Sequence, residues 1–293
     1  MRTSALILIG LFGFTVPTCS FAIDPGTATG TLKIDNDSVT LTHAYAHLHD
    51  NAEGWLDTPK EMRILAADRE VDQEALSGMN PFFTLSYMVR QGSVRGVLLR
   101  FDPGKPNTII ATVLYPPKDQ KYALTNKKLS DREKSPLKKL IISDVRVSAS
   151  LNQSTDGNQE LGWPAVSYNF SFSAPLFKEP AVTATMKGKQ ALNSPQAKAV
   201  LAKAAAMAKG DLDKVKQLST ERMIRQIDMS MSQMSQEEAK NMMRESGLET
   251  ERSVKKGKLR LIVRGDRASL IVEEKDGNVM FGFIRGNGNW IVD

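Results

Sequence analysis

All three histidines of the chain fall in one short stretch, THAYAHLHD, at positions 43, 47 and 49. In an extended strand alternate side chains share a face, so His43, Tyr45, His47 and His49 line up together. Two imidazoles two residues apart are a spacing by which one strand points two nitrogen ligands at a single zinc or copper ion, and Asp50 could add an oxygen. A plainer reading stands beside it. Val39 and Leu41 are expected on the same face, which would make His43 a hydrogen-bonded core residue and leave His47 and His49 at the end of the strand.

A second candidate metal set is the methionine run around MSMSQM, with Met229, Met231 and Met234, and Met223, Met242 and Met243 nearby. Thioethers suit Cu(I) in oxidising surroundings. Helical spacing puts Met231 and Met234 on one face and Met229 on another, and methionines also fill gaps between short helices and a sheet. For acid–base chemistry the C-terminal third offers Asp228, Asp266 and Glu273, with no histidine. No serine–histidine–aspartate order, glycine-rich phosphate loop or paired-carboxylate motif accompanies them, so no catalytic residue is nominated and the chain reads as a non-enzyme.

The elements that must position these groups differ along the chain. From Gly30 to about Leu176 the pattern has period two. Gly30 to Ile34 and Val39 to His49 form a hairpin around Asp35, Asn36 and Asp37, and Met62 to Ala67 adds a strand. Asp72 to Leu76 reads as one helical turn. Further strands are expected at residues 80–90, 94–101, 108–114, 140–151 and 165–173, the last with Val166, Tyr168, Phe170 and Phe172 alternating against polar neighbours. Such a run predicts an all-β sandwich or open barrel over residues 23–176.

Residues 177–193 lack periodicity and are expected to link this part to a second domain, 194–293. There Ser194, Pro195 and Gly210 mark the start and end of an alanine-rich helix, with Lys198, Lys203 and Lys209 directed to solvent. A second helix is expected over residues 211–218 and an apolar run follows at Met223, Ile224 and Ile227. Ser235 and Glu238 form a capping-box pattern for a helix through Glu245, ended by Gly247. Four strands close the chain as a meander, with turns at Gly265-Asp266 and Asp276-Gly277, so the architecture expected is α+β: helices packed on a four-stranded antiparallel sheet.

The alanine-rich first helix, the Gly210-Asp211 pair at its end, the short helices and the closing stretch Arg285 to Asp293, RGNGNWIVD, together resemble the nuclear-transport-factor-2-like superfamily, the cystatin-like cone. The resemblance covers residues 194 to 293. It implies a concave sheet that binds a small apolar ligand, a partner chain or a second copy, with Phe281, Phe283 and Trp290 lining the pocket or the core. The fold hosts enzymes as well as binding modules, so no activity follows from it. The segment from Gly30 to Leu76, with His43 to Ala46 and Ala67 to Arg69, resembles the start of an uncharacterised bacterial exported β-domain.

Address and charge narrow the function classes. Residues 1–22 read as a signal peptide: Arg2, the apolar run ALILIGLFGFTV, and small residues at Ser20 and Ala22. Cleavage there removes Cys19, the single cysteine, and with it thiol chemistry and disulfides. Anchoring as a lipoprotein through Cys19 is a competing reading that Pro17 and Thr18 disfavour. No other segment is apolar enough to be a membrane-spanning helix, which places the product in the periplasm or outside the cell. The formal charge of +6 falls to +5 without Arg2, and much of the excess lies between Lys118 and Lys139. That stretch mixes in Asp119, Asp131 and Glu133 and has one aromatic residue, which argues against nucleic acid and leaves a solvated loop or contact with anionic lipid or cell-wall polymer. The expectation is an exported, non-enzymatic binding or interaction protein. The alternatives are a periplasmic copper or zinc protein and a cone-fold enzyme.

Overall fold

The computed structural model describes residues 26–54, 56–77, 81–116, 124–130, 135–157, 164–232, 234–275 and 277–293. The leader read from residues 1–22, Cys19 included, lies outside them, as does much of the stretch from Lys118 to Lys139.

The N-terminal half is a large, almost wholly antiparallel sheet. Its strands are β1 (Gly26–Ile34), β2 (Asp37–Asp50), β3 (Lys60–Ala67), β4 (Gly96–Phe101), β5 (Thr108–Leu114), β6 (Leu124–Ser130), β7 (Lys138–Ile142), β8 (Arg146–Thr155) and β9 (Val166–Lys178). They lie in the order β6-β5-β4-β3-β2-β1-β9-β8-β7. The end of β2 runs past β1 and pairs in parallel with β9, Ala46 opposite Leu176. One face of the sheet is a continuous apolar core that includes Leu32, Leu41, Ile64, Leu99, Val113, Leu151 and Phe170. No helical residue contributes to this cluster among the described residues.

On the outer face, a 3₁₀ turn (Gln73–Leu76) and α1 (Pro81–Arg90) cover Tyr45, Leu65 and Leu98. Of the strand expected over residues 80–90, Asn80 lies outside the described residues and residues 81–90 are a helix. Phe82, Thr84, Tyr87 and Val89 favour strands in isolation, but Pro81 suits the first helical position and Leu85 and Val89, four residues apart, are both fully buried on one side. The strand expected over 140–151 is two strands. A turn at residues 143–145 separates them, held by Ser143 Oγ accepting from the Arg146 amide at 3.0 Å.

The C-terminal part combines helices and a second sheet: β10 (Ala184–Lys187), α2 (Gly188–Leu192), α3 (Pro195–Lys209), α4 (Leu212–Gln217), α5 (Glu221–Met231), α6 (Gln236–Lys256), β11 (Lys258–Arg264), β12 (Arg267–Glu274), β13 (Gly277–Gly286) and β14 (Asn289–Val292). Residues 177–193 are more than a linker, because β10 adds an edge strand to β11, with Ala184 opposite Val263. The resulting sheet has five strands rather than four. Among the described residues no helix is long and apolar enough to cross a membrane.

The ends of α3 follow its sequence. Ser194 Oγ accepts from the Ala197 amide, Pro195 opens the helix and Gly210 closes it at φ 72°. Lys203 is not directed to solvent. It is buried in α3, and desolvation pushes its ammonium down to about 8, opposed only by the charge of Asp293. Helix α6 also departs from expectation. Its capping box forms, yet it runs through Gly247 to Lys256. A Cβ at Gly247 would lie 2.6 Å from both the carbonyl oxygen of Ala204 and the amide nitrogen of Ala208. That glycine allows α6 to cross α3 closely rather than ending the helix.

Candidate functional site

The outer face of β2 and β3 changes from apolar to charged along its length. Tyr45 is buried under the 3₁₀ turn, and its hydroxyl accepts from the Val71 amide at 2.8 Å. Two residues further along, His47 is fully buried opposite Arg63, which is also fully buried; two further still, His49 is buried opposite Glu61. Val39 and Leu41 do not share this face. They join Ala44 and Ala46 in the inner core, so β2 changes phase between Leu41 and Ala44, beside the bulge that shifts the β1 register between Thr27 and Gly30.

His47 and His49 converge on one carboxylate. Glu179, just past the end of β9, places Oε1 2.8 Å from His49 Nδ1 and 3.6 Å from His47 Nε2, and its Oε2 accepts from the Asp50 amide at 3.3 Å. The carbonyl of Leu76 accepts from His47 Nδ1 at 2.8 Å and from Arg63 Nη1 at 3.0 Å. A carbonyl only accepts, so Nδ1 carries the His47 proton and Nε2 presents a lone pair. That nitrogen has no hydrogen-bond partner. Burial pushes the His47 imidazole down to about 4, helped by the charge of Arg63, while Glu179 and the Leu76 bond oppose the shift. It is neutral at pH 7. Burial raises Glu179, but the bond from His49 and the charges of His49 and Arg264 outweigh it and hold the carboxyl below its ordinary range. Burial also lowers Arg63, against the pull of Glu61, whose Oε1 accepts from Arg63 Nε at 2.8 Å.

The C-terminal sheet closes over this row. Arg260 of β11 donates to the carbonyls of Ala52 at 2.8 Å and Glu53 at 2.7 Å. Arg264, two pleats on, donates to the carbonyls of Pro180 at 3.0 Å and Asp50 at 3.1 Å, and its Nε lies 3.7 Å from Glu53 Oε1. Ser269 donates to the same Glu53 oxygen at 3.2 Å, and Arg267 donates to Ser77 Oγ at 2.8 Å. The grasped loop is itself stiffened by Asn51, whose Nδ2 donates to the carbonyls of Leu56 and Thr58, both at 2.7 Å. Charged partners bonded in a buried site resist removal of either one, because the other is left without solvent. Chemically, the arrangement is a polar clasp between the two sheets.

The other expected site residues fall elsewhere. His43 is half-buried and bonded at 2.8 Å to Thr42 Oγ1, about 13 Å along the strand from His47. Met231, the last residue of α5, is half-buried and Met234, before α6, is exposed, while the Met229 side chain lies outside what is described. Phe283 is in the core beneath α3, with Phe281 and Trp290 partly buried against it and the Arg285 guanidinium 5.9 Å from the Trp290 ring centre. Asp228 pairs with Lys216 at 2.7 Å and Glu273 with Arg260 at 3.7 Å. Among the described residues no group of three or more histidine, cysteine, aspartate or glutamate side chains could hold a metal ion.

Sequence reasoning missed Glu53, Glu61, Arg63, Glu179, Arg260 and Arg264. A signal for the two β11 arginines was present. Ile262 stands between them on the same face, and an apolar residue there, with Leu259, Leu261 and Val263 on the other, is what a strand covered on both sides requires.

No protein-family model, no curated protein and no solved structure matches the chain.

Proposed function

We propose that the chain is an exported, non-enzymatic binding or interaction protein, in which an N-terminal open β-barrel and a C-terminal cone of the nuclear-transport-factor-2-like kind are held at a fixed angle. The observation that carries this reading is where the convergent titratable groups spend their bonds. Arg260, Arg264 and Arg267 of the C-terminal sheet donate to carbonyls and a side chain of the N-terminal part, and Glu179 is taken up by His49 and the Asp50 amide beneath them, which suits rigid presentation of two surfaces rather than turnover. The partner or ligand would meet an outer surface or the cone around Phe281 and Trp290, and a second copy is one candidate occupant.

A copper or zinc site at His47 and His49 is the second reading, favoured by one observation. His47 Nε2 is a buried lone pair without a partner, 3.6 Å from the Glu179 carboxylate. Against it, His47 and Glu179 lie beside the permanent charges of Arg63 and Arg264, which repel a cation.

Thermal melting of the processed chain with Cu(I), Cu(II) or Zn(II) separates the two. A metal at about a hundred times its dissociation constant stabilises the native state by about 2.7 kcal/mol. The interaction reading predicts no upward shift that depends on the histidines. A shift present in the parent chain and lost in a His47→Ala/His49→Ala variant, each compared with its own metal-free melt, would replace it with the metal reading.

A further inference from the structure

We propose that the edge formed by β7 and the β7–β8 turn docks on an anionic phospholipid bilayer. Three aliphatic side chains there face water: Ile141 is 62 % exposed, Val145 73 % and Ile142 39 %. Exposed cations surround them, with Lys138 and Lys139 on β7, Arg146 on β8 and Lys178 at the end of β9. The one acidic residue among these, Asp144, is already paired with Lys178 Nζ at 3.0 Å. Protruding aliphatics ringed by lysine and arginine complement a surface of acyl chains beneath negative headgroups, where burial of the apolar tips and attraction of the cations act together.

The backbone of the same edge argues against another strand as the occupant. Lys139 has φ 52°, and the pairing of β7 with β8 shifts register between Lys138 and Ile141. A bulge carrying lysines is how an edge is made unfit for strand addition. It leaves the side chains, not the peptide groups, as the contact.

This inference rests on the reading of the chain as an exported interaction protein and names the chemistry of one partner. The test is co-sedimentation of the processed chain with vesicles of phosphatidylcholine alone and of phosphatidylcholine with one quarter phosphatidylglycerol (a proportion of about 25 %), at low and high salt. Binding is expected only to the anionic vesicles and should weaken with salt. Lys138→Glu and Lys139→Glu should each weaken it roughly fivefold or more. Val145→Asp should weaken it at least about tenfold, with the circular dichroism spectrum unchanged. Equal binding of parent and variants, or no dependence on phosphatidylglycerol, would overturn the proposal. So would a concentration-dependent dimer that Val145→Asp abolishes, since that result assigns the edge to a second copy. The metal melts decide the underlying reading separately, so a failure on vesicles and a failure of that reading are told apart.

Discussion

His49 and Glu179, 130 positions apart in the chain, meet at 2.8 Å where the end of β2 and the end of β9 run side by side beneath the C-terminal sheet. The carboxylate can only accept, so His49 donates through Nδ1, and the second carboxylate oxygen takes the amide of Asp50. Removing the carboxylate strands both donors. Glu179→Ala is expected to lower stability by about 1–3 kcal/mol, seen as a reduced urea midpoint with an unchanged slope.

Acid should act on the same place. The unfolded His47 titrates near 6.5 and the folded one near 4, so the native state binds fewer protons between those values. Its contribution is complete above about pH 6.5 and is lost as the pH falls towards 4, amounting to about 3 kcal/mol at most. Glu179, held below its ordinary range, gives the same sign at lower pH. A His47→Gln variant is expected to show a flatter stability profile between about pH 6.5 and 4 than the parent; an unaltered slope in urea melts across that range would contradict the assignment.

Lys203 predicts the opposite edge of the pH range. Its folded value near 8 lies below its ordinary 10.5, so the buried ammonium costs stability below pH 8 and the cost fades as the pH rises through both values. Lys203→Met should therefore raise the melting temperature at pH 7, by about 1–3 kcal/mol in stability, and remove the alkaline rise. A variant less stable than the parent at pH 7 would show that the lysine is held by interactions stronger than its desolvation.

At Gly247 helix propensity and packing pull in opposite directions. Alanine in a helix interior is ordinarily favoured over glycine by about 1 kcal/mol. Here the added methyl meets the α3 backbone at 2.6 Å, which is not the flexible end of a side chain. Gly247→Ala is expected to destabilise by about 1–3 kcal/mol in thermal melts. A stabilised variant would mean that α3 and α6 separate without penalty.

The legible parts of the chain are those that local chemistry determines. Ser194, Pro195 and Gly210 bound α3, Ser235 and Glu238 start α6, and the alternation of Val166, Tyr168, Phe170 and Phe172 gives β9, because caps and half-buried strands carry their cause within a few residues. The β1–β2 hairpin and the C-terminal meander follow for the same reason. What was not legible depends on distant partners. Residues 81–90 have strand-forming side chains and become a helix because Leu85 and Val89 are needed over the outer face of the sheet. Gly247 reads as a stop and instead marks a crossing.

For the candidate site, the sequence supplied His47 and His49 but not their partner, because nothing near either histidine points to Glu179. A strand pair beyond the end of β1 brings them together. Arg260 and Arg264 look like a solvated face until the position of Ile262 is weighed. His43, grouped with the others by spacing alone, is separated from them by Tyr45 and its covering turn.

The polar clasp is expected to make the two parts unfold as one. Differential scanning calorimetry of the parent chain and of an Arg260→Ala/Arg264→Ala variant tests it most directly. A single cooperative peak is expected for the parent, with calorimetric and van't Hoff enthalpies in agreement. The variant should melt in two transitions, because each arginine it loses spans loop 50–54 and the C-terminal sheet. A parent that already melts in two independent steps, or a variant that melts as one with the parent's enthalpy, would contradict the account.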